Sequence, residues 1–296
     1  MDHLENLNID NVCNEITSET YFNLNSAISN QTVENIKKEL SLWNFSINKN
    51  DILPSKTFNG WYHSMAIAKS KTVCDIVTSK TLLDICTKYI GPEFRLKAHR
   101  VYSTLSGAKM PWHSDDKAYQ QKKNYKGLIF IIYLKDVMKG EFQIIKDSEK
   151  FSEKFKEPNV RDQIINKEYS DKIVSFKCPT GSLIIYNHKA IHRAKPYFDP
   201  FWMRTSLFIQ VDNNIDDSEK VIINPSYLNN IDDRLKMFLG FGKKSEMPHE
   251  PVVTGYHTLD IKNLIKIIFN CFVSILFLKP YYFVRRSQLL KKLFKR

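Results

Sequence analysis

The chain has 296 residues, of which 43% are hydrophobic and 26% charged, and a net charge of +12. That size holds one large domain or a domain with an appendage, and the composition excludes collagen-like and low-complexity organisation. The charge is localised: Ile261 to Arg296 contains nine Lys/Arg and no Asp/Glu, leaving +3 for the first 260 residues. A nearly balanced body with a basic end argues against an enzyme that tracks nucleic acid over a broad face. Cys13, Cys74, Cys86, Cys178 and Cys271 are scattered, and no pair has metal-clamp spacing. The acidic, polar start does not resemble a signal peptide, so a cytoplasmic location is expected.

In chain order, residues 1–30 are polar with weak periodicity. Apolar residues at helical intervals predict a helix over Thr32 to Trp43, and a second over Thr78 to Ile90 that stops at Gly91-Pro92. Phe94 to Thr104 alternates and predicts a strand. Leu128 to Leu134 is β-branched and aromatic, suited to a central strand. Shorter strands are expected at Glu141 to Ile145 and Ile173 to Phe176, with a charged surface excursion, Lys146 to Asp171, between them. Gly181 to Tyr186 and Thr205 to Val211 read as paired strands flanking a loop that carries His192. Residues 213–258 lack a clear pattern apart from a helix around Ile231 to Leu239. Two helices before many short strands, without alternating βαβ units, predict a mainly β fold with flanking helices, an antiparallel double-sheet barrel.

The stretch with most chemistry is Lys109-Met-Pro-Trp-His-Ser-Asp-Asp116. In an extended segment, side chains two apart share a face, so His113 and Asp115 point the same way. Asp116, three from His113, does not. His192, from Gly181-Ser-Leu-Ile-Ile-Tyr-Asn-His-Lys-Ala-Ile-His192, supplies a third ligand. Two histidines and one carboxylate form the ligand set of non-haem iron(II) oxygenases, which leaves open positions on the metal. Arg204 follows His192 by 12 positions on the next strand. Its guanidinium fork suits the far carboxylate of 2-oxoglutarate, and Ser206, on the same strand face, adds a hydroxyl. Tyr102 and Lys97, on the strand before the iron site, are further candidates for contacting that co-substrate. Trp112, Tyr186 and Phe198 are candidates to line the substrate pocket. His188 competes with His192 as a ligand.

These residues carry a resemblance covering roughly Thr78 to Val211. The helix ending Tyr-Ile-Gly91, the strand Leu96 to Ser103, Trp-His113-Ser-Asp115, Leu128 to Leu134, Gly140 to Ser148, Gly181 to His192 and Arg204-Thr-Ser-Leu-Phe are together similar to the phytanoyl-CoA dioxygenase branch of the Fe(II)/2-oxoglutarate-dependent oxygenases. The resemblance implies a double-stranded β-helix (jelly roll, cupin-like), with iron ligands at His113, Asp115 and His192. It places the distal carboxylate of the co-substrate on Arg204 and makes succinate and carbon dioxide the co-products. Its register prefers His192 to His188. The chain departs from the family pattern at Lys139-Gly140, Lys146-Asp147-Ser148 and Lys195-Pro196-Tyr197, positions that bear on substrate rather than on iron.

The expected reaction is hydroxylation of an unactivated carbon of a small-molecule, lipid or lipid-linked sugar substrate, using Fe(II), 2-oxoglutarate and O2. The retained Asp115 disfavours halogenation. A zinc-dependent hydrolase accepts the same ligands but has no need of Arg204. A non-catalytic, membrane-peripheral scaffold with a cupin-like fold is the alternative outside enzymology. The expected domains are a catalytic unit at 1–258 and a basic hydrophobic helical tail at 259–296. The longest uncharged run in that tail, Ile267 to Leu278, has 12 residues, short of the roughly 20 needed to span a bilayer. Basic pairs at 285/286, 291/292 and 295/296 fall largely opposite apolar pairs. Residues 261–296 therefore suit an anionic membrane surface, with the protein peripheral on its inner face. No nucleic-acid motif is present, and oligomeric state is not legible.

Overall fold

A computed structural model describes residues 3–41, 60–105, 110–115, 125–152, 155, 159–197, 199, 202–216, 218, 221–244, 265, 268–269, 272–278 and 280. The polar first 30 residues already contain structure. Helix α1 (Ile9–Glu19) is capped by Asn8, whose side chain accepts from Asn11 N–H, and it buries Val12, Cys13 and Ile16. Strand β1 (Tyr21–Leu24) follows, then α2 (Asn30–Ser41), the first predicted helix within its described residues. After β2 (Gly60–Ser64) come α3 (Ala66–Lys69), α4 (Lys71–Val77) and α5 (Lys80–Tyr89). Ser70 and Ser79 cap α4 and α5, each accepting from a backbone N–H three residues on.

The remaining strands are β3 (Arg95–Leu105), β4 (Trp112–His113), β5 (Gly127–Tyr133), β6 (Phe142–Ile145), β7 (Asn159–Val160), β8 (Ile173–Phe176), β9 (Leu183–Asn187), β10 (His192–Ala194) and β11 (Met203–Asp212). Two short helices, α6 (Asp162–Glu168) and α7 (Asp233–Leu239), complete the set. The strands form a six-stranded sheet, β1-β9-β5-β11-β3-β2, and a five-stranded sheet, β7-β4-β10-β6-β8. Every pairing is antiparallel.

Alternation along the strands divides the apolar side chains into three layers. One face of the large sheet, with Leu128, Phe130, Ile132, Ile185, Leu207 and Ile209, packs under the helices. Its other face presents Ile129, Ile131, Ile184, Tyr186 and Phe208 to Phe142 and Ile144 of the small sheet. Behind the small sheet lies a third cluster of Trp112, Ile145, Val160, Ile165 and Ile191. Each fully buried aliphatic side chain contributes about 1.5–3 kcal/mol, so the middle layer is held from both sides.

Three expectations need correction. The chain is not mainly β: helical residues slightly outnumber strand residues among those described, and the two sheets face each other without closing into one barrel. The strands at Leu183–Asn187 and Met203–Asp212 are not paired, because β5 lies between them. The stretch from Lys146 to Asp171 is not only a surface excursion, since Val160 and Ile165 carry the third cluster. Short amphipathic pieces such as α1 and α6 are decided by the surface they cover, which local periodicity does not record.

Candidate active site

The smallest strand holds the centre of the site. β4 sits between β10 and β7, and its register sets His113 directly against His192. Period two sends Trp112 into the cluster behind the small sheet and His113 toward the large sheet. Asp115, two residues on, returns to the same side, and its N–H donates to the His188 carbonyl at 3.1 Å. His113 Nε2 lies 3.7 Å from Asp115 Oδ1, and His192 Nε2 lies 3.5 Å from Asp115 Oδ2. One ligand atom from each of the three residues lies within 4.8 Å of the others.

The imidazoles are oriented as metal ligands. His113 Nδ1 is 2.8 Å from the Pro111 carbonyl, and His192 Nδ1 is 2.9 Å from the Ala190 carbonyl. A carbonyl only accepts, so Nδ1 carries a proton in both rings, the tautomer that presents Nε2 to a metal. Burial, helped by neighbouring His113, lowers the His192 pKa to about 4, against the pull of Asp115 and the Ala190 carbonyl. At neutral pH its Nε2 therefore faces Asp115 Oδ2 as one lone pair faces another. That oxygen is buried and has no hydrogen-bond partner among the described residues. Convergent electron pairs without a proton between them fit a bound cation.

The second half of the site lies on β11 and β3. Arg204 is buried, and its Nη1 donates to the Gly140 carbonyl at 2.7 Å. Ser206 shares its strand face, and the Ser206 hydroxyl is buried without a hydrogen-bond partner among the described residues. Tyr102 stands opposite Ser206 in the β3–β11 register, with the Arg204 guanidinium carbon 5.9 Å from its ring centroid. Tyr186 closes the group from β9, its hydroxyl 3.3 Å from His192 Nε2. Burial first, then Asp115, drives the Tyr186 pKa far above the phenol range, so it remains a neutral hydroxyl.

The sequence matches the family Phytanoyl-CoA dioxygenase (PhyH) over residues 21–198, more than half of the chain and including all three convergent ligands. The chain belongs to the PhyH family. Its catalytic activity is accordingly of the Fe(II)/2-oxoglutarate-dependent oxygenase type. Among solved structures, this PhyH protein is similar to the non-heme alpha-ketoglutarate-dependent carbocyclase SnoK from nogalamycin biosynthesis, at TM-score 0.56 and 14% identity over 71% of this chain and 86% of that one. It is also similar to HygX from Streptomyces hygroscopicus with nickel, 2-oxoglutarate and hygromycin B bound, at TM-score 0.55 and 12% identity over 71% of this chain and 89% of that one. These likenesses show the fold, a mixed α/β form of the double-stranded β-helix. No curated protein matches the chain.

The PhyH protein brings His113, Asp115, His192 and Tyr186 together, and Arg204, Ser206 and Tyr102 together. Lys97 does not join them. It lies at the β-bulge between β3 and β11, where its ammonium is 3.2 Å from Asp212 Oδ1 and donates to the Asn214 carbonyl. Trp112 is not a pocket residue either: it is fully buried behind the small sheet, with the Arg193 guanidinium 4.2 Å from its ring centroid. The His188 ring is turned away from the ligand group and meets Tyr125 edge-on at 4.6 Å. Phe198 and Asp116 lie outside the described residues. Arg100 shares the inner face of β3 with Tyr102, its guanidinium carbon 4.6 Å from the Phe208 ring centroid, and strand alternation puts it rather than Lys97 on that face.

Proposed function

We propose that His113, Asp115 and His192 hold Fe(II) on one face and that Arg204, with Ser206 and Tyr102, holds the distal carboxylate of 2-oxoglutarate. The observation that carries this reading is the pair of tethered imidazoles whose Nε2 atoms converge on the Asp115 carboxylate, His113 on Oδ1 and His192 on the unmatched Oδ2. When bound, the ferrous ion supplies dioxygen activation coupled to decarboxylation of 2-oxoglutarate, so that one oxygen atom enters succinate and the other a C–H bond of the substrate. The protein's own residues do the remaining work. Arg204 neutralises and orients a carboxylate that would otherwise be buried unpaired. Tyr186 offers a hydroxyl beside His192, while Ile129, Ile131, Phe142 and Phe208 keep the space between the sheets dry.

The reaction is hydroxylation of a small-molecule or lipid-linked substrate. The similar structures, the carbocyclase SnoK and HygX with hygromycin B bound, support a small-molecule substrate class. The catalytic unit spans 1–258 and the tail 259–296. Ile265, Ile268, Phe269, Phe272, Ile275, Leu276 and Phe277 are all exposed. No helix among the described residues is long and apolar enough to cross a membrane. Exposed apolar side chains on a segment with nine cations and no acid support attachment to an anionic membrane surface on the cytoplasmic side.

Succinate formation from 2-oxoglutarate, measured with and without Fe(II), tests the site. The wild type forms succinate only with iron, and normal production by Asp115→Ala defeats the assignment. Flotation of the full chain with anionic liposomes tests the tail. Recovery falls for the double variant Arg285→Glu, Arg286→Glu, and equal recovery removes the membrane proposal.

A further inference from the structure

Asp115 lies two residues past the point where β4 pairs with β10, His113 against His192, so that ladder alone does not place it. What reaches it is the turn between β9 and β10. The Asp115 N–H donates to the His188 carbonyl at 3.1 Å, and two residues further along the turn the Ala190 carbonyl accepts from His192 Nδ1 at 2.9 Å. Two carbonyls of one turn therefore steady two of the three ligands, one from each stretch of chain that builds the site. A displaced turn would move Asp115 and His192 away from His113.

The turn is closed by the Ala190 N–H, which donates to the Asn187 carbonyl at 2.9 Å, and the Asn187 side chain accepts from the Lys189 N–H at 2.9 Å. Those bonds set its shape. Asn187 ties its start to α5, donating to the Tyr89 hydroxyl at 2.9 Å, and His188 ties its middle to the large sheet. The His188 N–H donates to the Gly127 carbonyl at 3.3 Å, and its imidazole is buried with the Tyr125 ring edge-on at 4.6 Å. Gly127 forms another wall of that slot. Its φ is not positive, so the backbone conformation does not demand glycine there. A Cβ at Gly127 would lie 2.6 Å from His188 Nδ1 and 2.8 Å from the Val211 carbonyl oxygen, so the missing side chain makes room for the ring. Tyr125 is itself anchored, its hydroxyl donating to Asp212. A ring fitted between an anchored aromatic and bare backbone leaves little freedom to the peptide that carries it. We propose that His188 is a positioning residue: its imidazole keys the turn so that the His188 and Ala190 carbonyls hold Asp115 and His192 in place against His113, without itself binding the metal. The proposal rests on the iron reading of those three residues and extends it to the group that keeps them preorganised.

The test titrates full-length protein with Co(II) and follows the visible spectrum. Wild-type protein that takes up no Co(II) overturns the iron reading and this proposal with it. With the wild type loaded, His188→Ala should bind Co(II) about tenfold or more weakly and with an altered spectrum. His188→Gln, a planar polar side chain of similar volume, should bring affinity back to within about threefold of the wild type, with the wild-type spectrum. Tyr125→Leu opens the other wall of the slot with the imidazole in place; it should weaken Co(II) in the same direction, and it serves if His188→Ala does not fold. His99→Ala is the control for a lost buried imidazole, since His99 lies on the helix-facing side of β3 opposite Ile209. It should lose stability and keep Co(II) affinity. In the metal-free protein, amide hydrogen exchange at Asp115 should quicken in His188→Ala and not in His99→Ala. Four results overturn the proposal while leaving the iron reading intact. They are unchanged Co(II) affinity in His188→Ala, an equal loss in His99→Ala, an unchanged Asp115 exchange rate, or an altered spectrum shared by His188→Gln, which would make His188 a ligand.

Discussion

Strands β3 and β11 run side by side, and each end of the pair buries a charged group, but the two ends are built for different purposes. At one end Lys97 and Asp212 are almost fully buried and 3.2 Å apart. The Tyr125 hydroxyl and the Asn214 N–H also donate to Asp212, and Lys97 donates to the Asn214 carbonyl. Burial raises the Asp212 pKa to about 6 even with Lys97 beside it, so the carboxylate is ionised and matched at neutral pH. At the other end Arg204 is equally hidden, yet the Ser206 hydroxyl on the same face has no hydrogen-bond partner among the described residues. A buried charge whose neighbours are fully paired holds the fold. A buried charge among converging unmatched polar atoms is set for a ligand. Isolated orphans, such as His99 Nδ1 and Trp112 Nε1, converge with nothing and are packing costs.

This contrast can be broken by exchanging the consequences of mutation at the two ends. The largest effect on stability is expected from Lys97→Met, which leaves the Asp212 carboxylate buried without its cation. Denaturant unfolding should show a loss of about 3–5 kcal/mol, with metal affinity retained in the folded fraction. Asp115→Ala should do the reverse. Co(II) affinity should fall by about 100-fold or more, while the metal-free protein keeps its unfolding midpoint because an unmatched oxygen has been removed. Arg204→Gln should weaken 2-oxoglutarate by about 10–100-fold with little change in metal affinity, and equilibrium titration separates the two.

A smaller, sharper test uses pH. His99 lies on β3 but outside the ligand group, and burial, reinforced by Arg100 and Lys69, lowers its pKa to about 3. Its folded value is below the usual 6.5, so the unfolded chain takes up a proton that the folded chain refuses. Stability from this group is therefore full above about pH 6.5 and drains as pH falls toward 3. Between pH 6.5 and 4 the wild type should lose about 2–3 kcal/mol more than His99→Gln, measured as the difference between their unfolding free energies.

Much of the site was legible because its chemistry is local. His113 and Asp115 are two apart on an extended segment, His192 follows one recognisable strand and Arg204 lies at the start of the next. The errors have equally local causes. Trp112 adjoins His113, and the period of two that joins His113 to Asp115 also turns Trp112 away. Lys97 and Tyr102, five apart, were both assigned to the co-substrate, although a regular strand places such positions on opposite faces. The bulge near Lys97 changes that relation locally without bringing its ammonium to Arg204. Among the folds, the strand Gly127–Tyr133 was readable because it is buried on both sides. The helix Ile9–Glu19 was not, because only four of its positions are strongly apolar and the surface they cover comes from distant α5.

In the proposed site His113, Asp115 and His192 hold a ferrous ion that 2-oxoglutarate then joins. Anaerobic addition of Fe(II) followed by 2-oxoglutarate, monitored by visible absorption, tests it most directly. The wild type should give a saturable charge-transfer band that is absent in Asp115→Ala and needs higher 2-oxoglutarate in Arg204→Gln. Folded wild-type protein giving no band, or Asp115→Ala giving the same band as the wild type, would contradict it.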